Sequence, residues 1–424
     1  MPADAIMTFI GLVWHCAITQ RASHQDFVRL FNAVNAVRLQ RTLAQQLPPI
    51  NPAYRGTRAR LRIALYTPEL RNPRHGGTAF TLNLMSLLVD MGMECEGFAA
   101  QEVAIPPEYA YQGGNQYLAP PMLEVDTLQL KTAGSVQFRL ANAELSLHAR
   151  YLQMQADITA YNPDLLVFVG FLSPLVYALA PHYPTLGLSV HALPPLVPVD
   201  VWLSADIKAD SAVWDALPAP QRLHYPYRFW PVGPAVPFTR ETLQIPDDAV
   251  VLVTAGYRLL VEMPDSWLQN MRAFLDAHSQ VYWLLVGMTH EQQASWPVHP
   301  RIQCVEPQHQ LQSWLAASDI YVNPPRIGGG SSIAMAMEQG LPVLTLAGSD
   351  GADKVGVLAA GSMAAWFDQL AVWVSDHPVR REAGARLKDS FHQRLDISST
   401  SARDHLRHAC GAAMASFNTR NRNT

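Results

Sequence analysis

The sequence predicts an α/β protein made of two doubly wound domains in succession. Three observations carry this: 424 residues with 49% hydrophobic content, short apolar runs alternating with helical stretches, and a restart of that alternation near mid-chain. The length exceeds that of one compact domain and suits two of about 200 residues each. Charged residues make up only 16%, which goes with a large core rather than disorder. A formal net charge of −4 supplies no basic field for nucleic acid.

Residues 1–58 read as an N-terminal helical extension ending in Pro48, Pro49 and Pro52. The apolar run 6–19 is short for a membrane span, is interrupted by His15 and has no basic segment before it, so it reads as a buried or docking helix rather than a signal peptide. An interfacial role for it would give peripheral contact with the inner face of a membrane. Cys16, Cys95, Cys304 and Cys410 are widely spaced without a Cys-x-x-Cys pair. They read as reduced thiols in a cytoplasmic protein, not as a zinc site or a disulfide framework.

The first α/β domain is expected over 59–240. Residues 61–66 (LRIALY) form a short apolar run of the kind found in buried parallel strands. A polar loop with Gly76 and Gly77 follows, then a helix over 78–91, with Leu82, Met85, Leu88 and Val89 on one stripe, stopped by Gly92. Residues 94–99 complete a β-loop-α-β unit. The stretch 101–145 has no clear period. Beyond it lie a helix over 147–161, strands over 165–169 and 186–190, and the start of another at 201–203. Pro218, Pro220, Pro226, Pro231, Pro234 and Pro237 mark an extended connection, with the domain boundary at 239–248. The second domain, 241–380, repeats the rhythm. Strands are expected at 250–255, 281–286, 302–305, 320–322 and 341–346, and helices at 265–277, 311–317 and 332–339. C-terminal helices occupy 381–424.

The sharpest motif follows the 320–322 run, where Gly328, Gly329, Gly330, Ser331 and Ser332 lead from a strand into a helix. Glycines let a ligand approach the backbone closely, and the first helical turn offers free N–H groups and the positive end of its dipole. Two serine hydroxyls complete a site for a phosphate or diphosphate. No lysine follows the glycines, so this is not a Walker loop, nor is it a GxGxxG turn. Arg258, after the strand that opens this domain, would lie on the same carboxyl edge and clamp the same diphosphate, or else pair with Glu262. Lys354 follows the next strand and is a further candidate cation.

These segments resemble the nucleotide-binding half of GT-B glycosyltransferases, whose fold is two Rossmann-like domains with a cleft between them. Residues 318–324 (SDIYVNP), running through the glycines to 338–345 (EQGLPVLT), resemble both the retaining sugar-nucleotide transferases and the catalytic domains of the O-GlcNAc transferase type. Residues 329–332 resemble the diphosphate-holding turn of the latter group. Residues 254–259 (TAGYRL) resemble the opening of the donor domain in both, and 199–206 (VDVWLSAD) resembles the O-GlcNAc-type pattern ahead of the interdomain connection. Gly76 and Gly77 resemble the acceptor-side loop of the retaining group, and His191 resembles its cleft histidine. The likeness is moderately specific over 250–400, loose over 60–240, and does not reach the first 58 residues.

The resemblance implies a metal-independent hexosyltransferase-like enzyme with a nucleotide-sugar donor, UDP-linked, as substrate and no separate cofactor. The acceptor would be a glycan, a lipid-linked group or a protein. Gly328 to Ser332, Arg258 and Lys354 would stabilise the leaving diphosphate, and no Asp-x-Asp motif appears. His191 would bond a sugar hydroxyl or act as a base, with His75, Asp200 and Asp206 as other possible cleft groups. The sequence departs from the retaining pattern where two glutamates are usual, since Ile327 and Met335 stand there, and Val261 lies in the stretch where a lysine is usual. Glu338, on a similar helix face one turn beyond Met335, is the alternative ribose partner. These departures also fit a degenerate GT-B subunit that binds a partner or glycan without turnover. A sugar-nucleotide epimerase, the third reading, would need a clear acid and base.

Overall fold

The computed structural model describes residues 2–19, 23–51, 58–70, 76–102, 127–129, 135–189, 193–205, 210–256, 259–294, 299–306, 310–326, 330–349 and 351–422. The chain divides into two compact units, Met1–Tyr225 with Thr400–Thr424, and Pro226–Ser399.

Helices α1 (Ala3–Thr19), α2 (His24–Ala33) and α3 (Ala36–Ala44) open the first unit. The apolar face of α1 (Ile6, Met7, Ile10, Val13) is buried in the same core cluster as Phe27, Phe31, Phe171 and Trp214. Trp14 meets Phe27 and Phe31 edge-on at centroid distances of 5.1 and 6.5 Å. That face of the 6–19 run is apolar because it packs, whereas Phe9 is 43% exposed. No described helix is long and apolar enough to cross a membrane.

The first sheet contains β1 (Arg62–Thr67), β2 (Glu94–Ala99), β3 (Thr127–Gln129), β4 (Ser135–Leu140), β5 (Leu165–Val169), β6 (Thr185–Leu188), β7 (Val201–Ser204) and β8 (Gln221–His224). Its order is β3-β4-β2-β1-β5-β6-β7-β8, parallel except for the β3–β4 pair. Helices α4 (Gly76–Asp90), α5 (Leu147–Tyr161) and α6 (Pro174–Leu179) connect the inner strands. Each residue of β5 is buried and only Arg62 of β1 is not, because crossover helices cover both faces of a parallel sheet. Gly76 and Gly77 form the first turn of α4 rather than a loop.

The second unit contains α7 (Arg240–Leu243), β9 (Val250–Ala255), α8 (Leu259–Glu262), α9 (Asp265–Ala277), β10 (Val281–Val286), α10 (His290–Ala294), β11 (Ile302–Val305), α11 (Leu311–Ala316), β12 (Ile320–Val322), α12 (Gly330–Glu338), β13 (Val343–Leu344), α13 (Ala352–Val355), α14 (Met363–Ser375) and α15 (His377–Ser390). Its strands run parallel in the order β11-β10-β9-β12-β13. Trp267 packs edge-on against Trp283 and Trp366 at 5.5 and 5.6 Å, centring the core.

Two expectations about organisation differ from what is observed. The proline-rich stretch after Tyr225 lies within the second unit, zipped to it by side chains. Glu338 accepts the N–H groups of Val232 and Gly233 at 2.7 and 2.8 Å, and Gln339 donates to the Gly233 carbonyl at 2.9 Å. The final helices also part company. α15 stays with the second unit, whereas α16 (Thr400–Arg422) belongs to the first. There Arg420 pairs with Asp200 at 3.1 Å and donates to the Ala180 carbonyl at 2.7 Å, while Arg403 pairs with Asp90.

Candidate functional site

The strand order of the second sheet reverses between β9 and β12, the position where open α/β sheets bind ligands beyond the carboxyl ends of their strands. β9 ends at Ala255 and β12 at Val322, and being parallel both deliver their next residues to one edge. The residue that fills this point is Arg326, which sequence reasoning passed over. Its side chain is 1% exposed. The guanidinium donates to the Ala255 carbonyl at 2.9 Å, to Asn323 Oδ1 at 2.9 Å, to Tyr321 Oη at 3.2 Å and to Glu262 Oε2 at 3.3 Å. Four acceptors around a planar fork are what a buried guanidinium needs and an ammonium does not match. A Cβ at Gly256 would stand 2.6 Å from Arg326 Nη1, which accounts for glycine there. Glu262 thus pairs with Arg326. Arg258, the other candidate partner, lies outside the described residues.

Helix α12 begins beside this network at Gly330. A Cβ on Gly330 would sit 3.0 Å from both Cε and Nζ of Lys354, so the ammonium reaches the amino end of α12. Lys354 is buried on α13, paired with Asp353 at 2.9 and 3.1 Å, and lies 5.7 Å from the Tyr227 ring centroid. Arg394 holds the Asp353 carbonyl at 2.6 Å, fixing that short helix. A positive group at the positive end of a helix dipole is unfavourable by itself, and Asp353 offsets it.

The two serines have different fates. Ser331 is exposed on the first turn. Ser332 is buried, and its hydroxyl shares a 2.7 Å hydrogen bond with Tyr321 Oη. Its hydroxyl is thereby committed to the interior, and only its position in the first turn remains relevant to a ligand. Ile327, Gly328, Gly329 and His191 lie outside the described residues, as do His75 and Asp206.

Glu338 is engaged at the end of α12 away from Gly330. It is the last residue of α12, about 12 Å along the axis from Gly330 at 1.5 Å per residue. Its carboxylate is used by Val232 and Gly233. Burial raises its pKa, opposed by those two N–H groups. Asp200 is likewise remote from a carboxyl edge. It precedes β7, at the amino end of the strand, where it accepts the Thr185 N–H at 2.8 Å and pairs with Arg420. Gly76 and Gly77 stand at the start of α4, the first helix after β1, with the Gly77 carbonyl accepting the Thr81 hydroxyl at 2.9 Å.

No protein-family model and no curated protein matches this chain. Solved structures do. An O-GlcNAc transferase mutant from Thermobaculum terrenum has a TM-score of 0.61 at 14% identity, covering 93% of this chain and 78% of that one. A sucrose-phosphate synthase from Thermosynechococcus elongatus has a TM-score of 0.58 at 14% identity, covering 82% and 97%. The lipopolysaccharide outer core galactosyltransferase WaaB, in its apo form, has a TM-score of 0.56 at 11% identity, covering 82% and 99%. The chain has the GT-B glycosyltransferase fold.

Proposed function

We propose that the protein is a glycosyltransferase that moves a sugar from a nucleoside diphosphate donor, UDP-linked, to a glycan, lipid-linked or protein acceptor. The observation that carries this reading is the approach of Lys354 to Gly330 at the start of α12, where Ser331 is exposed, beside the strand reversal of the second sheet. In transfer, the bond between the anomeric carbon and the β-phosphate oxygen breaks, and its electron pair leaves with the diphosphate. The acceptor oxygen bonds the anomeric carbon and its proton passes to the departing diphosphate or to solvent. The N–H groups of the first turn and the Ser331 hydroxyl would receive the growing charge, and Lys354 would exchange Asp353 for a phosphate oxygen. Arg326 would hold the edge in shape without touching the donor.

Calorimetric titration with UDP and GDP tests this. Wild type is expected to bind UDP, and Lys354→Met to weaken it by roughly tenfold or more, the loss of a charged hydrogen bond of about 1.5–3 kcal/mol. Equal affinity in Lys354→Met, or silence toward both nucleotides in wild type, overturns the site. A second reading, a binding subunit without turnover, draws on Glu338 being held by backbone and on Met335 standing where the retaining pattern has a glutamate. Slow hydrolysis of a UDP-sugar without acceptor separates the two, since only an enzyme turns over.

A further inference from the structure

The first sheet reverses its strand order between β1 and β5, and a buried acid lies at that point. Glu102 follows β2, Tyr66 lies near the end of β1 and Ser173 just beyond β5. Gln101 takes a left-handed φ of 55° as the chain turns into Glu102, a conformation that a non-glycine residue keeps only when its surroundings demand it. Glu102 Oε1 accepts the Tyr66 and Ser173 hydroxyls, both at 2.5 Å, and Oε2 accepts the Tyr151 hydroxyl at 2.9 Å. On α5, the fully buried Arg150 donates to the Gln101 carbonyl and lies 3.9 Å from Asp4 of α1. Asp4 also accepts the Leu147 N–H at 3.2 Å, which pins α1 to the start of α5.

The charge count of this cluster is uneven. Among the described residues, one guanidinium serves two buried carboxyl groups, Asp4 at 7% and Glu102 at 4% exposure. An unbalanced buried charge is costly, so one acid should keep a proton. The partners decide which. Asp4 faces an N–H and a guanidinium, which only donate. Glu102 faces hydroxyls, which can turn from donor to acceptor, and the Tyr66 and Ser173 hydroxyls also share a 3.1 Å contact in which either can donate. A ring of hydroxyls accommodates either form of the carboxyl group.

We propose that Glu102 is a proton-operated latch for the N-terminal helix: neutral, it leaves Arg150 to Asp4 and α1 stays docked, whereas ionised it competes for Arg150 and loosens α1. Burial pushes the Glu102 pKa from 4.5 up to about 7, outweighing the Ser173, Tyr66 and Tyr151 hydroxyls and Arg150. Tyr66 and Tyr151 are themselves raised, chiefly by burial, and stay neutral across this range. Because the folded value lies above the unfolded one, the stabilisation is fully present below pH 4.5 and is lost as pH rises through about 7. Within that window each pH unit shifts the folding equilibrium about tenfold.

Hydrogen exchange of the α1 amides from about pH 5.5 to about pH 8.5, corrected for intrinsic rates, tests the latch. Protection of α1 in wild type is expected to fall as pH passes about 7, and in Glu102→Gln to stay level. A level wild-type profile, or the same profile in Glu102→Gln, overturns it. Should Glu102→Gln fail to fold, infrared titration of wild type decides. A protonated-carboxyl band that fades near pH 7 supports the latch, and a spectrum without one overturns it.

Discussion

The two sheets reverse strand order once each, and they fill that point with opposite kinds of side chain, a carboxyl group and a guanidinium. In the first, Glu102 meets Tyr66, Tyr151 and Ser173. In the second, Arg326 meets Ala255, Asn323, Tyr321 and Glu262. The partners differ as instructively as the groups themselves. Hydroxyls can follow a carboxyl group through its titration, whereas the carbonyl, amide oxygen and carboxylate around Arg326 can only accept. The first reversal point is therefore able to titrate near neutral pH, whereas the second is a guanidinium locked among acceptors. Ligands favour such points in open α/β sheets. Of the two, the second, with Lys354 and the start of α12 nearby, is the one on which the proposed diphosphate site rests.

The largest expected effect comes from removing the cation. Arg326→Met should cost the second unit about 3–5 kcal/mol, because it removes the buried guanidinium that the Ala255 carbonyl, Asn323 and Glu262 share. Arg326→Lys should recover little of this, since an ammonium cannot reproduce the fork. Denaturant unfolding of both variants is the measurement, and a loss under about 1 kcal/mol would break the contrast between the two reversal points.

Next in size is Gly256→Ala, whose new Cβ would press on Arg326 Nη1. Overpacking of this kind typically costs about 1–3 kcal/mol. The penalty should shrink in an Arg326→Met background if the guanidinium is what the methyl group strikes, which a double-mutant cycle of unfolding energies reads directly.

The smallest effects separate the two serines. Ser332→Ala should lower stability by about 1 kcal/mol through its lost bond to Tyr321. Ser331→Ala, at an exposed position, should leave unfolding nearly unchanged and weaken UDP by about 1 kcal/mol, roughly fivefold. Thermal unfolding paired with UDP calorimetry on each variant checks this, and a reversed pattern would mean that Ser332 is the hydroxyl facing the ligand.

The amino-acid sequence by itself determined the parallel strands and the start of α12. Runs such as 165–169 and 250–255 are apolar throughout because both sheet faces are covered, and the glycine-to-serine step marks a helix entrance in local code. Two doubly wound domains were legible from segments of that kind, and the GT-B fold from the family resemblance they carry. Tertiary structure alone decided where the polar side chains went. Arg326 finds Ala255 across 71 positions and Glu262 across 64, while Glu338 turns to Val232 across 106. α16 returns to the first unit although α15, just before it, belongs to the second. Local periodicity reports which face of an element is buried, but a buried polar group takes whichever complementary group the packed chain brings within about 3 Å. That choice is settled by long-range packing.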